Sequence, residues 1–143
     1  MAQLKTERNE KSRRTRLSAH GRYRTEYHIV WTTKYRHSCL LSVIKMIFLR
    51  RTIAKIVGEI KGCELVECHV GGDHIHLVLI IPPKYAVSDV VGKIKGRTSS
   101  ELLKTFEGLK HLYWKHNSMW ASGYYVGTVG PDDKPIIEYV RNQ

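Results

Sequence analysis

A chain of 143 residues with 42% hydrophobic side chains is long enough to bury a core without disulfides or a structural metal, and it fits one domain rather than two. Its formal charge of +11 and pI near 9.7 point to a polyanionic partner, nucleic acid first, while the apolar content excludes a merely disordered basic protein. No stretch reaches the roughly 18 apolar residues of a membrane span, no segment shows a clear lysine-rich amphipathic face, and the arginine-rich N-terminus lacks the apolar part of a signal peptide, so a cytoplasmic protein without membrane contact is expected.

Residues Met1 to Arg24 carry Lys5, Arg8, Lys11, Arg13, Arg14, Arg16, Arg22 and Arg24 with almost nothing apolar. They read as a basic, flexible tail, suited to a phosphate backbone or simply solvated, and the folded domain is expected over 25–143. Residues Glu26 to Thr33 alternate as a first strand with Tyr27, Ile29 and Trp31 on one face. Lys34-Tyr35-Arg36-His37 leaves it as a basic, aromatic loop, a pattern suited to single-stranded nucleic acid because cations follow phosphates while rings stack on bases.

From about Ser42 to Lys61, Leu49, Ile53, Ile56, Val57 and Ile60 recur at helical spacing, and Gly62 supplies the stop. Glu64 to Val70 is a second strand, Gly71-Gly72-Asp73 a tight turn, and His74 to Ile81 a third strand, together a hairpin. Pro82-Pro83 ends it. Ser88 is then expected to cap a helix running to about Phe106, with Val91, Ile94, Leu102 and Phe106 inward and Lys93, Lys95, Arg97 and Lys104 outward. Gly92 and Gly96 each cost about 1 kcal/mol against alanine in a helix interior, a loss better accounted for if a backbone or a strand packs closely there. Gly108 to Ser118 reads as a loop and Trp120 to Thr128 as a fourth strand. Gly130-Pro131-Asp132-Asp133 opens a closing helix over Ile136 to Gln143, with Pro135 in its first turn.

The order β-α-β-β-α-β plus a terminal helix is the split βαβ, ferredoxin-like or RRM-like α+β arrangement: an antiparallel sheet with the first and third strands in the middle. In the third strand Ile75, Leu77, Leu79 and Ile81 face the helices, leaving His74, His76, Val78 and Ile80 on the other side. Histidines at i and i+2 put both imidazoles on that face, where one cation could take both; the alternative is a pair satisfied by hydrogen bonds at a strand end. Structural zinc is a minor alternative. Cys63, Cys68, His69, His74 and His76 crowd one segment, but the spacing lacks a paired Cys-x-x-Cys, and Cys68 and His69 point to opposite faces. Three cysteines, Cys39 included, are expected as reduced thiols.

Tyr139 and Gln143 lie four apart in the last helix and share a face. If that helix crosses the open sheet face, two imidazoles and an amide oxygen form an incomplete shell for a divalent ion, with positions left for phosphate oxygens, and Tyr139 becomes a candidate nucleophile on phosphorus. Tyr124 and Tyr125 are rivals, although strand aromatics suit core or interface.

Five blocks stand in order: Tyr27-His28-Ile29-Val30-Trp31-Thr32-Thr33-Lys34-Tyr35-Arg36, Gly72-Asp73-His74-Ile75-His76-Leu77, Lys93-Ile94-Lys95-Gly96, Gly123-Tyr124-Tyr125-Val126-Gly127-Thr128-Val129-Gly130 and Tyr139-Val140-Arg141-Asn142-Gln143. Together the sequence from Arg22 onward resembles the small single-tyrosine HUH transposases of compact prokaryotic insertion sequences. The resemblance implies a homodimeric single-stranded DNA transposase that recognises subterminal hairpins, cuts one strand, and keeps the 5′ end as a phosphotyrosine while releasing a 3′ hydroxyl. It gives Tyr139 the nucleophile role and His74, His76 and Gln143 the roles of Mg²⁺ or Mn²⁺ ligands, while the basic turn and the basic helix face make Lys34, Arg36, Lys93, Lys95 and Arg97 the expected DNA contacts. Gln143 is the last residue, so its α-carboxylate is an added candidate ligand. Two other functions compete: a non-catalytic RRM-like binding module, which lacks an RNP-type aromatic pattern here, and a hydrolytic metal nuclease using the histidines without a covalent step.

Overall fold

The structure, a computed structural model, describes residues 16–18, 21–23, 25–130, 139, 141 and 142. Its strands are β1 (Arg16–Ser18), β2 (Gly21–Tyr23), β3 (Glu26–Thr32), β4 (Glu64–Val70), β5 (His74–Ile80) and β6 (Tyr125–Val129). Its helices are α1 (Val43–Glu59), α2 (Val87–Thr105) and α3 (Glu107–Leu112). β3 to β6 form one antiparallel sheet in the order β4-β5-β3-β6, so the two strands expected in the middle are there. β1 and β2 pair separately, inside the segment whose composition carried no strand signal.

The alternation of β3 and β5 decides which face the helices cover. Ile29, Trp31, Ile75, Leu77 and Leu79 meet Leu49, Ile53 and Ile56 of α1 and Val91, Ile94 and Leu102 of α2 in one buried cluster. Each fully buried side chain of this size contributes about 1.5–3 kcal/mol. Trp120 packs edge-on against Trp31 at 5.8 Å and donates its indole N–H to Thr98 Oγ1 at 3.0 Å, which seats the chain before β6 on α2. On the opposite face Val66, Val78, Ile80 and Val129 form a smaller cluster with Tyr23, while the half of that face around His76 is more polar.

A bulge in β4 controls what joins that polar half. Leu65 opposes Leu79 and Cys68 opposes Leu77, both towards the helices, and the register shifts between Leu65 and Glu67. The extra residue turns Glu67 and His69 to the side of Val78 and His76. Strict alternation from Leu65 would have sent both into the helix-covered core.

Several boundaries differ from expectation for identifiable reasons. Ser42 does cap α1, accepting from the Lys45 N–H, and Gly62 follows with φ of 90°. By contrast α2 starts at Val87 with Ala86 at the cap position, so Ser88 lies in the first turn rather than capping it. α3 occupies part of the expected loop; it is one and a half turns long, and buried Leu109 alone is too little to register as periodicity. β6 begins at Tyr125 rather than Trp120, which makes an isolated bridge to Thr33. Gly92 and Gly96 face open space, so no packed neighbour accounts for them. Tyr139 and Arg141 are helical, while most of the expected closing helix, Gln143 included, lies outside the described residues, as does most of the expected tail.

Candidate active site

The bulge and the strand register gather four imidazoles on the face away from the helices. His69 of β4 is directly opposite His76 of β5, and His28 of β3 is diagonal to it. The rings of His74 and His76 lie 4.9 Å apart, those of His28 and His76 5.5 Å, and His69 stands 6.1 Å from His74 and 6.2 Å from His76. Burial, then the three neighbouring imidazoles, pulls the His76 pKa down to about 4, and burial also lowers those of His28 and His69. His76 is therefore neutral at pH 7, the form in which imidazole ligates metals.

The outer partners set how the two expected ligands can act. Asp73 Oδ1 lies 2.7 Å from His74 Nδ1, and Arg36 holds Oδ2 of the same carboxylate through Nε and Nη2, both at 3.0 Å. The bond to His74 first, and then Arg36, keeps the Asp73 carboxyl below its ordinary range, so it is ionised and accepts the Nδ1 proton. His28 Nε2 is 3.3 Å from His76 Nδ1. Both ring nitrogens nearest the strand are thus engaged, leaving Nε2 of each ring for a ligand. Gly71 makes this possible sterically, since a Cβ there would lie 2.6 Å from His74 Nε2. Space, and not a left-handed turn, is what requires this glycine, because neither Gly71 nor Gly72 has positive φ.

Tyr139 comes to this face, its ring centroid 6.2 Å from that of His76 and its side chain exposed. Two residues on, Arg141 Nε donates to Glu67 Oε1 at 2.9 Å, and Nη2 stands 2.7 Å from the same oxygen as an ion contact. The bulge that aims His69 at the cluster therefore also supplies the anchor for the tyrosine segment. Tyr125, the rival on β6, contacts His28 edge-on at 5.9 Å.

The basic residues divide. Lys34 and Arg36 are on the exposed turn beside Asp73, with Arg36 in contact with the site. Lys93, Lys95 and Arg97 are on α2, across the sheet from the histidines. Lys95 Nζ donates to the carbonyls of Ala121 and Gly123 at 2.9 and 2.8 Å, and Arg97 is paired with Glu59. A phosphate contact by either would share these internal partners.

The family profile described as Transposase IS200 like matches residues 22–143. The chain belongs to the IS200-like transposase family. This transposase is 36% identical over 128 residues to the transposase for insertion sequence element IS200 of Salmonella typhimurium, covering 87% of this chain and 80% of that protein. It is 30% identical over 122 residues to the ISDra2 transposase TnpA of Deinococcus radiodurans, with 85% of each covered. A crystal structure of a candidate transposase from Deinococcus radiodurans superposes with a TM-score of 0.71 at 31% identity, over 90% of this chain and 98% of that one. A tyrosine transposase bound to a REP hairpin shares the fold, with a TM-score of 0.56 at 18% identity over 87% and 68%.

Membership makes the protein a DNA transposase. Among the described residues no helix is long and apolar enough to cross a membrane, and no three His, Cys, Asp or Glu side chains form a metal-holding group. The donor chemistry of His74 and His76, each with Nδ1 engaged and Nε2 available, fits a divalent ion that takes a further donor from elsewhere. Gln143, the expected one, lies outside the described residues. Reading residues alone missed His28, Asp73, Glu67 and Arg141 as members of this site. His28 alternates with Tyr27 and Ile29, so its face could be read, but its neighbour across the ladder could not.

Proposed function

We propose that this transposase cuts and rejoins single-stranded DNA at the ends of an insertion sequence through a covalent 5′-phosphotyrosine on Tyr139, with His74, His76 and Gln143 as ligands of Mg²⁺ or Mn²⁺. The observation that carries the reading is the Tyr139 ring 6.2 Å from His76, on the face to which His74 and His76 turn. When bound, such an ion supplies polarisation of the phosphodiester and offsets charge on the leaving oxygen. Tyr139 gives up its proton to solvent as its oxygen bonds to phosphorus. The bond from phosphorus to the 3′ oxygen breaks, and that oxygen takes a proton and leaves as a 3′ hydroxyl. The tyrosyl ester keeps the energy of the broken bond, and a 3′ hydroxyl attacking it rejoins strands without ATP.

Asp73 orients His74, His28 orients His76, and Arg36 and Lys34 meet the incoming phosphates, with Lys93, Lys95 and Arg97 as a more remote contact surface. The DNA we assign is single-stranded with subterminal hairpins, and residues 1–24 extend the domain at 25–143 as a basic arm. A homodimer suits the outer edge of β6, a sheet margin on which Tyr125 and Val126 are exposed. A cytoplasmic setting suits the three free thiols.

The test is incubation of the protein with Mn²⁺ or Mg²⁺ and single strands from both ends of its element, with Tyr139→Phe as control, read by denaturing gel and peptide mass mapping. An adduct on Tyr139 supports the reading. Cleavage without an adduct replaces it with a hydrolytic nuclease, and binding without cleavage replaces it with a binding module.

A further inference from the structure

Next to the histidine face, four rings close a circuit of edge-to-face contacts. Tyr35 meets His37 at 5.9 Å and His116 at 5.6 Å, while Tyr113 meets His37 at 5.9 Å and His116 at 6.3 Å. Tyr113 is buried and donates its hydroxyl to the Lys34 carbonyl at 2.9 Å, which fixes the circuit to the turn after β3. Tyr35, however, is 70% exposed, and the neighbouring Trp114 is 73% exposed beside a groove that Tyr113 and His116 also line.

The turn is over-determined. Tyr35 and Arg36 have φ of 60° and 54°, a left-handed backbone that non-glycine residues rarely adopt. Hydrogen bonds from Lys34 N–H to the Met119 carbonyl, Thr33 N–H to the Asp73 carbonyl and Arg36 N–H to the Thr33 carbonyl hold it there. The Tyr35 ring stays exposed on this turn, and strain held by so many bonds is a mark of a functional position. Lysines surround the rings: Lys34 on the turn, Lys110 in the groove, and Lys115 with Nζ 4.9 Å from the Trp114 ring. The carboxylate of α3, Glu107, lies against His111.

We infer that the exposed rings of this circuit, with Trp114, are a stacking site for unpaired DNA bases on the path of the strand that reaches His74, with buried Tyr113 as their support. Exposed rings set among lysines are complementary to a single strand, whose bases offer π faces and whose phosphates offer charge. Duplex DNA hides those faces. The path is short, because the residue after Tyr35 is Arg36, which holds the carboxylate that orients His74. The inference rests on the reading of this chain as a single-strand transposase, and it adds a site to that reading.

The experiment measures binding of fluorescent oligothymidylate and of a mixed-sequence duplex in chelator, on the full chain carrying Tyr139→Phe. Tyr35→Gly removes the ring at a position whose backbone favours glycine, so the fold is kept; Trp114→Ala removes an exposed ring; Tyr35→Phe keeps a ring. Tyr35→Gly and Trp114→Ala each weaken single-strand binding about five- to a hundredfold, Tyr35→Phe leaves it unchanged, and duplex binding does not move. A photoreactive 5-iodouracil strand crosslinks to Tyr35, His116 or Trp114. Unchanged single-strand affinity, or an equal loss on duplex, overturns the inference. The two readings fail separately: a Tyr139 adduct without stacking losses keeps the transposase chemistry alone, and stacking losses without an adduct keep this site alone.

Discussion

The contact most exposed to experiment is the one between Glu67 and Arg141. Both side chains are nearly out of solvent, at 7% and 12% exposure, so their charges are poorly screened. A hydrogen bond between charged groups contributes about 1.5–3 kcal/mol, which is about 13- to 160-fold in the equilibrium that docks the tyrosine segment on the sheet. Glu67→Gln keeps the volume of the side chain and removes the charge. It is expected to slow adduct formation on Tyr139 by about tenfold or more, with little change in Tm, because the pair secures a terminal segment and not the helix-covered core. Arg141→Met should cost a similar amount. The double variant should be no slower than either single one, since both remove the same contact. Single-turnover adduct kinetics on single-stranded DNA measure all three. If Glu67→Gln cleaves within twofold of the parent, docking of Tyr139 by its own chain is not what positions the nucleophile, and the segment acts from another place, such as a partner's histidine face.

Asp73→Ala removes the acceptor for His74 Nδ1–H together with the anchor of Arg36. Mn²⁺ affinity by calorimetry should fall about 10- to 100-fold, and an unchanged affinity would remove Asp73 from the site. Gly71→Ala should displace the His74 ring, lowering Mn²⁺ affinity while Tm stays close to the parent; metal binding at full strength would show that the ring tolerates the added carbon. By NMR, His76 should titrate at about 4, against 6.5 for a free imidazole. Because the folded value is the lower one, the unfolded chain binds the proton first as pH falls. Stability held above pH 6.5 is therefore lost progressively down to about pH 4, so the urea midpoint should drop between pH 7 and pH 5 and drop less in His76→Asn. A His76 midpoint at or above 6.5 would contradict the burial argument.

The fold was legible wherever local pattern and burial agree. The apolar run from Leu77 to Ile81 reads as an interior strand, and the alternation along His74 to Ile80 already separated Ile75, Leu77 and Leu79 from His74 and His76. The five blocks of resemblance named the family. What escaped was whatever depends on pairing between distant segments. Nothing near Val66 in the sequence announces a bulge, yet the bulge decides that Glu67 and His69 join the polar face. The bond of His28 to His76 spans 48 positions and follows from register alone. α3 is too short for periodicity, and Trp120 reads as a strand residue because an aromatic beside turn signals looks the same whether it lies within a ladder or, with a lone bridge to Thr33, fills the space beside Trp31.

The polar face explains why its histidines are clustered rather than scattered. Four imidazoles within about one ring diameter of their neighbours cannot all be protonated, since each added charge would be repelled by the next and none is fully hydrated. Burial holds His28, His69 and His76 towards the neutral form, the form in which an imidazole can offer a lone pair to a cation. Asp73 adds a single negative charge at the rim, where it selects the tautomer of His74, and the bond to His74, followed by the bond to Arg36, keeps that carboxylate ionised. A sheet face that merely stacked bases would have no use for this arrangement; aromatic rings without titratable nitrogens would serve equally well and cost less to bury. The same four-stranded scaffold therefore separates its tasks in space. His28, His74 and His76 stand on the two central strands and His69 on the neighbouring edge strand β4, where backbone register holds them to a fixed spacing, and the exposed rings of Tyr35 and Trp114 sit outside the sheet, on a turn and a short connection that can meet a flexible strand.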